Sequence, residues 1–346
     1  MHGDKLIQQI DISLKYCLVP LKFFDHYNEA NRKNLSECAR HFPELYRKIL
    51  FQHLFFILSK KRIHGAVLTF DWHPVMRIFA SVCKELKIPT FLVTHESVFL
   101  DQDKYYWYEK GNIKRPICDY IIVWGKLQET IFLDRGVDKK KIFTLGAPKF
   151  DTYFNYKPII TKQQFCNIYG FDISKRIFLY SMQLLDSQID QKLAILKQQE
   201  AINDLIEFCE EHDAQLLLRE PPVKLNLLTV EQKNKISQST RLFLEESDMQ
   251  LVSPEESIFH VDIVLSINST MLFEAVLMNK IAISTKYFDF VQIWKNINIP
   301  CARNKKELFY LLMQDDDKLK VKDISWAEIN LSHGKFDGLS SVRIKT

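Results

Sequence analysis

Glycine is scarce in this sequence, which has only nine glycines among 346 residues. Neither the GxGxxG pattern of dinucleotide-binding domains nor the GxxxxGK(S/T) pattern of P-loop proteins occurs. The sequence also lacks an HExxH motif, Cys/His spacing typical of a metal site, and a GxSxG nucleophile elbow. These absences exclude the usual glycine-rich nucleotide loops. They also give no support for a protein metal site or for a Ser or Cys nucleophile.

Paired cysteines and long apolar runs are missing as well. The seven cysteines are scattered without any CxxC pair, which is typical of reduced thiols in a cytosolic protein. The first residues lack the apolar core of a signal peptide, and no run of about 18 apolar residues could span a membrane. The most apolar stretch, residues 49–58, is short and contains Gln52 and His53. We favour a buried helix there, although the basic residues 60–62 leave a membrane-surface helix open.

The composition is that of an ordinary globular protein, with 47% hydrophobic and 26% charged residues. The formal net charge of +4 is too small to indicate a nucleic-acid partner, but it fits an anionic ligand or an anionic membrane surface. We therefore expect a cytoplasmic protein, with peripheral contact to the inner face of the cytoplasmic membrane left open. A chain of 346 residues is comfortable for two domains.

Short apolar runs alternate with helical patterns after a mainly helical segment that ends near residue 60. This alternation is typical of βαβ units and parallel sheets. We predict two Rossmann-like, doubly wound α/β domains, at residues 1–155 and 156–330, with a hinge-like segment at residues 151–175. Residues 331–346 are predicted to form a C-terminal crossover helix that could pack back on the first domain. The predicted strands are 66–70, 90–94, 120–124, 141–145, 176–180, 214–218, 249–252, 262–267 and 280–284, with a helical stretch before residue 249.

The most informative stretch is residues 262–284, DIVLSINSTMLFEAVLMNKIAIS. It predicts a buried strand, a polar turn at Asn268, Ser269 and Thr270, a short helix and a second buried strand. Ligands bind at the carboxyl ends of parallel strands, and a helix that starts there offers free N–H groups to phosphate. Glu274 lies about one turn into this helix, without the Ser or Thr that a capping box would place three residues earlier. The alternative is an ordinary helix cap with one solvated carboxylate.

Polar side chains also follow two strands predicted in the first domain. Asp71 and His73 follow the first of these strands, and His95 and Glu96 follow the second. A His and a carboxylate at a strand exit can act as a general base. The alternatives are a capped helix start for the first pair and a solvated loop for the second.

A third charged strand exit is predicted in the second domain. Arg219 and Glu220 follow three leucines and precede two prolines. An Arg is a natural clamp for phosphate, and the prolines prevent a helix from starting at once. The alternative is a charged surface loop.

Four segments together resemble a known family. The sequence is similar to GT-B-type glycosyltransferases of bacterial surface-polysaccharide assembly, in particular capsule polysaccharide (Kdo-type) transferases and CDP-glycerol glycerophosphotransferases. These are related in fold to UDP-N-acetylglucosamine 2-epimerase. The resemblance covers about residues 63–343. The segments are residues 119–125 (DYIIVWG) with 136–151 (GVDKKKIFTLGAPKFD), 262–282, 335–343 (KFDGLSSVR) and 88–96 (IPTFLVTHE).

The resemblance implies GT-B architecture, with two facing domains, and a metal-independent transferase. Such an enzyme moves a sugar or polyol phosphate from a nucleotide-activated donor to a hydroxyl of a glycan or lipid-linked glycan, and it needs no separate cofactor. The donor would bind against the second domain. Ser269 and Thr270 would hold the phosphates beside Asn268, Glu274 would accept hydrogen bonds from the ribose, and Arg219 with Glu220 would complete the donor site.

The acceptor side is implied to lie on the first domain. Glu96 or Asp71 would take the proton from the attacking hydroxyl, with His73 or His95 assisting. Two other functions remain open, namely a sugar-nucleotide epimerase of the same fold and a catalytically inactive GT-B scaffold subunit. The scaffold alternative rests on two departures from the family pattern, which usually has Gly where this chain has Glu96 or the following Ser, and often has His-Pro at residues 220–221.

Overall fold

The computed structural model describes residues 29–94, 115–183, 190–221 and 226–345. The chain divides into two compact units. The first unit runs to Asp151 and takes up the chain again from Ala327, and the second comprises Thr152–Trp326. Each unit is built on its own parallel sheet. The predicted fold class, parallel α/β in two units, is confirmed.

The described residues of the first unit form a four-stranded parallel sheet. Its elements are α1 (Glu29–His41), α2 (Pro43–Lys60), β1 (Ala66–Leu68), α3 (Pro74–Glu85), β2 (Thr90–Val93), β3 (Tyr120–Val123), α4 (Lys126–Asp134), a 3₁₀ turn (Lys139–Lys141), β4 (Ile142–Thr144) and α5 (Pro148–Asp151). The strands lie in the sheet in chain order, β1-β2-β3-β4. Helices α1, α2 and α3 pack on one another around a cluster that includes Leu50, Leu54 and Val82.

In the second unit, the part of the chain that the structure describes forms a six-stranded parallel sheet. Its elements are α6 (Lys162–Tyr169), β5 (Ile177–Ser181), α7 (Gln191–Glu211), β6 (Gln215–Arg219), α8 (Val230–Gln238), β7 (Leu242–Glu245), α9 (Pro254–His260), β8 (Ile263–Ser266), α10 (Thr270–Leu277), β9 (Ile281–Thr285), a 3₁₀ turn (Ile293–Ile297), β10 (Cys301–Ala302), α11 (Lys305–Leu312), α12 (Asp316–Leu319) and α13 (Ser325–Leu331, which extends past the boundary of this unit). The strand order is β10-β9-β8-β5-β6-β7. Strands β5, β6, β8 and β9 are buried along their whole length, as expected for the central strands of a sheet covered on both faces.

One predicted strand is wrong. Residues 249–252 form no strand, and β7 lies instead at Leu242–Glu245, within the stretch predicted to be helical. The apolar side chains that prompted the prediction are largely solvent-exposed, at 56% for Met249 and 44% for Leu251. Leu242, by contrast, is paired beside Leu216 of β6 and buried. Apolar content therefore did not identify the strand, because pairing with β6 decides which segment joins the sheet.

The last helix, α14 (Ser340–Lys345), packs against α5 within the first unit. The backbone N–H groups of Ser340 and Ser341 donate to the two carboxylate oxygens of Asp151, at 3.1 and 2.7 Å. Arg343 forms a bidentate ion pair with Asp337 just before the helix. These charge-assisted contacts hold the end of the chain in place.

Gly125 provides a close approach for this returning segment. A Cβ atom at Gly125 would lie 2.4 Å from the backbone carbonyl carbon and oxygen of Asn330. The φ of Gly125 is −160°, so the requirement concerns space and not backbone conformation. The segment from Asn330 onward can pack here only because residue 125 has no side chain.

Replacing Gly125 with alanine is expected to lower the free energy of unfolding by about 1–3 kcal/mol, because the backbone at Asn330 must move to admit the new methyl group. Urea denaturation followed by circular dichroism would measure the change. Unchanged stability in the variant would show that residue 330 does not lie against Gly125.

No helix in the described part of the chain is both long enough and apolar enough to cross a membrane.

Candidate functional site

The strand order of the second sheet reverses at β5. The chain first adds β6 and β7 on one side of β5, and it then returns to add β8 and β9 on the other side. With right-handed crossovers, the segments that leave β5 and β8 turn toward opposite faces of the sheet. A crevice opens between such segments at the carboxyl ends of the strands, where open parallel sheets bind ligands. The predicted polar turn at Asn268, Ser269 and Thr270 follows β8 at this switch point.

Gln183 joins the two strand exits at this point. Its side-chain Oε1 accepts hydrogen bonds from the Ser266 hydroxyl at 3.0 Å and from the Asn268 backbone N–H at 2.9 Å. The backbone N–H of Gln183 in turn donates to the buried side chain of Gln198 at 3.0 Å. Sequence reasoning missed Gln183 and Gln198. The available signal was a polar residue directly after the buried run of β5.

Ser269 is the N-cap of α10. Its hydroxyl accepts a hydrogen bond from the backbone N–H of Met271 at 3.2 Å. The side-chain Oδ1 of Asn268 is buried and has no hydrogen-bond partner within the described residues, whereas the backbone carbonyl of Asn268 accepts from the Trp294 indole at 3.4 Å. The ring of Trp294 stacks on Phe273 of the same helix, with 5.5 Å between centroids. The turn is therefore held from several sides while a polar side-chain atom in it stays unpartnered.

Glu274 is buried in α10, only 4% exposed. The Thr270 hydroxyl donates to its Oε1 at 2.8 Å across one helical turn. Tyr153 also hydrogen-bonds to Glu274, and it contacts Oε1 of Glu255 at 3.4 Å. Burial raises the pKa of Tyr153 well above its ordinary value, and the two carboxylate charges add to this effect, so the hydroxyl stays protonated and acts as a donor. Glu274 is thus held in one orientation by the hydroxyls of Thr270 and Tyr153.

Arg219 makes extensive contacts on the opposite side of β5. Its guanidinium forms a buried ion pair with Glu245 of β7 at 2.9 Å, with the two side chains 3% and 0% exposed. It also donates to the Ser257 hydroxyl at 2.8 Å, to the Gln250 side chain at 3.0 Å and to the Val252 carbonyl at 3.0 Å. All of these partners belong to β7, α9 or the segment between them. Through these contacts Arg219 holds β6 to β7 and α9, whereas the sequence suggested that its guanidinium binds phosphate.

Glu220 is turned toward the same segment. Its side chain is buried, and its Oε2 accepts a hydrogen bond from the backbone N–H of Ser247 at 3.2 Å. Burial raises the pKa of this carboxyl above its ordinary value. The structure therefore places Arg219 and Glu220 together at the end of β6, and it places the residues from Asn268 to Glu274 together at the end of β8.

Asp71 follows β1 in the first unit and is fully buried. Its Oδ2 accepts hydrogen bonds from the backbone N–H groups of Ile117 and Cys118, at 2.7 and 3.1 Å. Burial raises the pKa of the carboxyl, although these hydrogen bonds act in the opposite direction. The carboxylate fastens the exit of β1 to the segment that enters β3.

His73 is the N-cap of α3. Its Nδ1 accepts from the backbone N–H of Val75 at 3.3 Å, and its Nε2 lies 3.2 Å from the Ser36 hydroxyl. Burial lowers the pKa of the imidazole, which agrees with a neutral ring whose Nδ1 accepts a hydrogen bond. His73 therefore has the capping role that was the alternative for this position. His95 and Glu96 lie outside the described residues.

In the part of the chain that the structure describes, no group of three or more His, Cys, Asp or Glu side chains could hold a metal ion.

The protein consists of two parallel α/β units. Comparison with solved structures shows which known proteins share this fold. A putative UDP-N-acetylglucosamine 2-epimerase from Listeria monocytogenes is similar at a TM-score of 0.61 and 14% identity, over 99% of this chain and 84% of that one. The UDP-GlcNAc 2-epimerase from Neisseria meningitidis, solved with UDP-GlcNAc bound, gives 0.60 and 12% over 99% and 87%. The UDP-GlcNAc 2-epimerase from Methanocaldococcus jannaschii gives 0.56 and 13% over 86% and 80%.

At these identities the likeness shows the fold alone, which is the GT-B type that the sequence resemblance implied. No protein-family model matches the sequence, and no curated protein matches it significantly.

Proposed function

We propose that the second unit binds a nucleotide-activated sugar at the carboxyl ends of β5 and β8. The observation that carries the proposal is the start of α10 at Ser269 and Thr270, at the switch point of a six-stranded parallel sheet. The first N–H groups of a helix and its positive dipole end favour phosphate. The unpartnered Oδ1 of Asn268 adds a polar atom at the same turn.

Within this donor site we assign the roles that the family resemblance implies, adjusted by the contacts of Arg219 and Glu220. Ser269 and Thr270 with the first amides of α10 hold the phosphates, and Glu274 accepts hydrogen bonds from the ribose hydroxyls. Arg219 and Glu220 hold the neighbouring strand exit in place, and their contribution to the donor site is indirect. This division is supported by the hydrogen bonds that already occupy the guanidinium of Arg219.

The reaction that we propose is transfer of the sugar, or of a polyol phosphate, to a hydroxyl of a glycan or lipid-linked glycan. We propose that a general base assists this step and, as the resemblance implies, that no metal takes part. Glu96, with His95 beside it in the sequence, is the proposed base. Asp71 is the weaker candidate because its carboxyl is buried and accepts two backbone hydrogen bonds, and His73 is a helix cap.

Epimerisation of a nucleotide sugar is the second candidate. The observation that favours it is that two of the similar structures described above are named as 2-epimerases and the third as a putative one. The two reactions differ in what they require. An epimerase converts its nucleotide sugar without an acceptor and leaves the mass unchanged. A transferase releases free nucleotide only in proportion to the acceptor that is modified. Mass spectrometry and NMR of a nucleotide-sugar panel, incubated with and without a glycan acceptor, would separate them.

A screen of UDP, CDP, GDP and CMP is expected to find a nucleotide that raises the melting temperature by about 5–10 °C at a concentration 100-fold above its Kd, because binding to the native state stabilises it by mass action. Replacing Ser269 with alanine is expected to weaken binding about tenfold through loss of the hydrogen bond to phosphate, which halves the shift.

Ser253 offers a matched control for this test. It caps α9 in the same unit through an equivalent bond, in which its hydroxyl accepts from the backbone N–H of Glu256 at 3.2 Å. The Ser253→Ala variant loses a comparable helix cap but should keep the full nucleotide-induced shift. Equal losses in both variants, or no shift with any nucleotide, would argue against the proposed donor site.

A further inference from the structure

Helix α2 is apolar on two faces although it lies at the surface. Three inner side chains pack in the core and are at most 3% exposed: Tyr46, Leu50 and Leu54. On the outer face, Leu45, Ile49 and Phe56 are 53%, 48% and 56% exposed. A surface helix of a globular protein normally has polar residues on its outer face. The outer face of α2 therefore has the composition of a covered surface.

The exposed apolar side chains form a stripe along one side of the helix, interrupted by the exposed Gln52 between Ile49 and Phe56. At 3.6 residues per turn, Leu45, Ile49 and Phe56 fall within about 40° of one another around the helix axis, over a length of about 16 Å. Phe42, at the N-cap position, extends the stripe at one end and is 63% exposed. Phe55, 60% exposed, widens it at the other end. Exposed apolar side chains clustered on one side of a helix in this way indicate an interaction site.

Basic residues border the stripe. Lys48 is exposed on the outer side of the helix, and the Nζ of Lys60 lies 4.1 Å above the ring of Phe56. Residues 61–62, both basic, are exposed directly after the helix. The acidic residue of this helix, Glu44, lies in its first turn, at the opposite end from Lys60. An apolar stripe with an excess of positive charge at its border is complementary to a partner that has an apolar interior and an anionic surface.

We propose that the outer face of α2 docks on the anionic surface of a lipid bilayer. The side chains of Leu45, Ile49, Phe55 and Phe56 enter the boundary between head groups and acyl chains, and Lys48 and Lys60 reach the lipid phosphates. The helix lies in the plane of the interface and does not span the membrane. A second copy of the chain would fit this face less well, because a symmetric contact would bring the same basic border against itself.

Sedimentation of the full chain with vesicles tests this inference independently of the proposed enzymatic function. The protein is expected to bind vesicles of phosphatidylcholine that contain roughly 30–40% phosphatidylglycerol. Binding should be at least tenfold weaker on pure phosphatidylcholine or in high salt. The double variant Phe55→Ser with Phe56→Ser should lose at least tenfold in binding to the anionic vesicles. Its melting temperature should stay near that of the wild type, because both side chains are largely exposed.

The control variant carries Tyr310→Ser and Met313→Ser in the second unit, where the two side chains are 65% and 61% exposed at α11. It removes similar apolar surface and should bind the anionic vesicles as the wild type does. Three results would overturn the inference: no binding of the wild type, equal losses in both variants, or a dimer in solution that the Phe55 and Phe56 changes convert to monomer without any effect on vesicles.

Discussion

Replacing Arg219 with alanine is expected to lower the free energy of unfolding by about 3–5 kcal/mol, a large share of the stability of a typical domain. The cause is the Glu245 carboxylate, which is fully buried and pairs with Arg219 at 2.9 Å. Glu245 would keep its hydrogen bonds from the Tyr169 hydroxyl and the Leu251 backbone N–H. It would have no cation beside it, however, and a buried unpaired charge is strongly destabilising. Urea denaturation followed by circular dichroism measures the loss.

Arg176 supplies the comparison, because it forms an ion pair of similar length in the same unit but at the surface. Its guanidinium lies 2.8 Å from the Asp316 carboxylate, with the two side chains 39% and 53% exposed. Solvent screens such a pair, but the guanidinium also donates to the Leu312 carbonyl at 3.0 Å, so Arg176→Ala should cost about 1–2 kcal/mol. A double variant with methionine at both Arg219 and Glu245 should recover much of the loss, since it leaves no charge behind. If Arg219→Ala costs no more than Arg176→Ala and instead abolishes nucleotide binding, Arg219 is a phosphate clamp.

The sequence did not reveal this structural role because the partner of Arg219 comes from another strand. Arg219 and Glu245 lie opposite each other in the pairing of β6 with β7, and β7 occupies a stretch that was predicted to be helical. An arginine at the end of a buried strand looks the same in sequence whether it binds a ligand or a carboxylate on the neighbouring strand. The role of Arg219 depends on which strand pairs with β6, and a local sequence pattern does not contain that information.

The stretch around α10 was predictable for the opposite reason. The apolar runs of β8 and β9 are local signals, and Ser269 is the N-cap that a polar residue before a helical run suggests. Even here, the partners of Glu274 were not visible, because Tyr153 lies far away in the sequence. Gln183 was missed for the same reason. Its role depends on β5 and β8 being neighbours in the sheet, which strand order alone determines.

Replacing Glu274 with glutamine is expected to weaken nucleotide binding by about 10- to 100-fold, because hydrogen bonds from ribose hydroxyls to a carboxylate contribute about 1.5–3 kcal/mol. The amide keeps the size of the side chain, but it loses the negative charge that the hydroxyls of Thr270 and Tyr153 now hold in place. Isothermal titration calorimetry with the nucleotide identified by thermal shift would measure the change in Kd.

Glu255 distinguishes a lost ligand contact from a disturbed core. Its carboxylate contacts the same Tyr153 hydroxyl at 3.4 Å and is similarly buried, but it belongs to α9 and not to the helix that starts at the switch point. Glu255→Gln should therefore lower the free energy of unfolding about as much as Glu274→Gln does. It should leave the Kd for the nucleotide within about twofold of the wild type, because only Glu274 is proposed to touch the ribose. If both variants weaken binding equally, the effect runs through Tyr153 and the packing of this cluster. The ribose contact would then have to be assigned to another residue near Asn268.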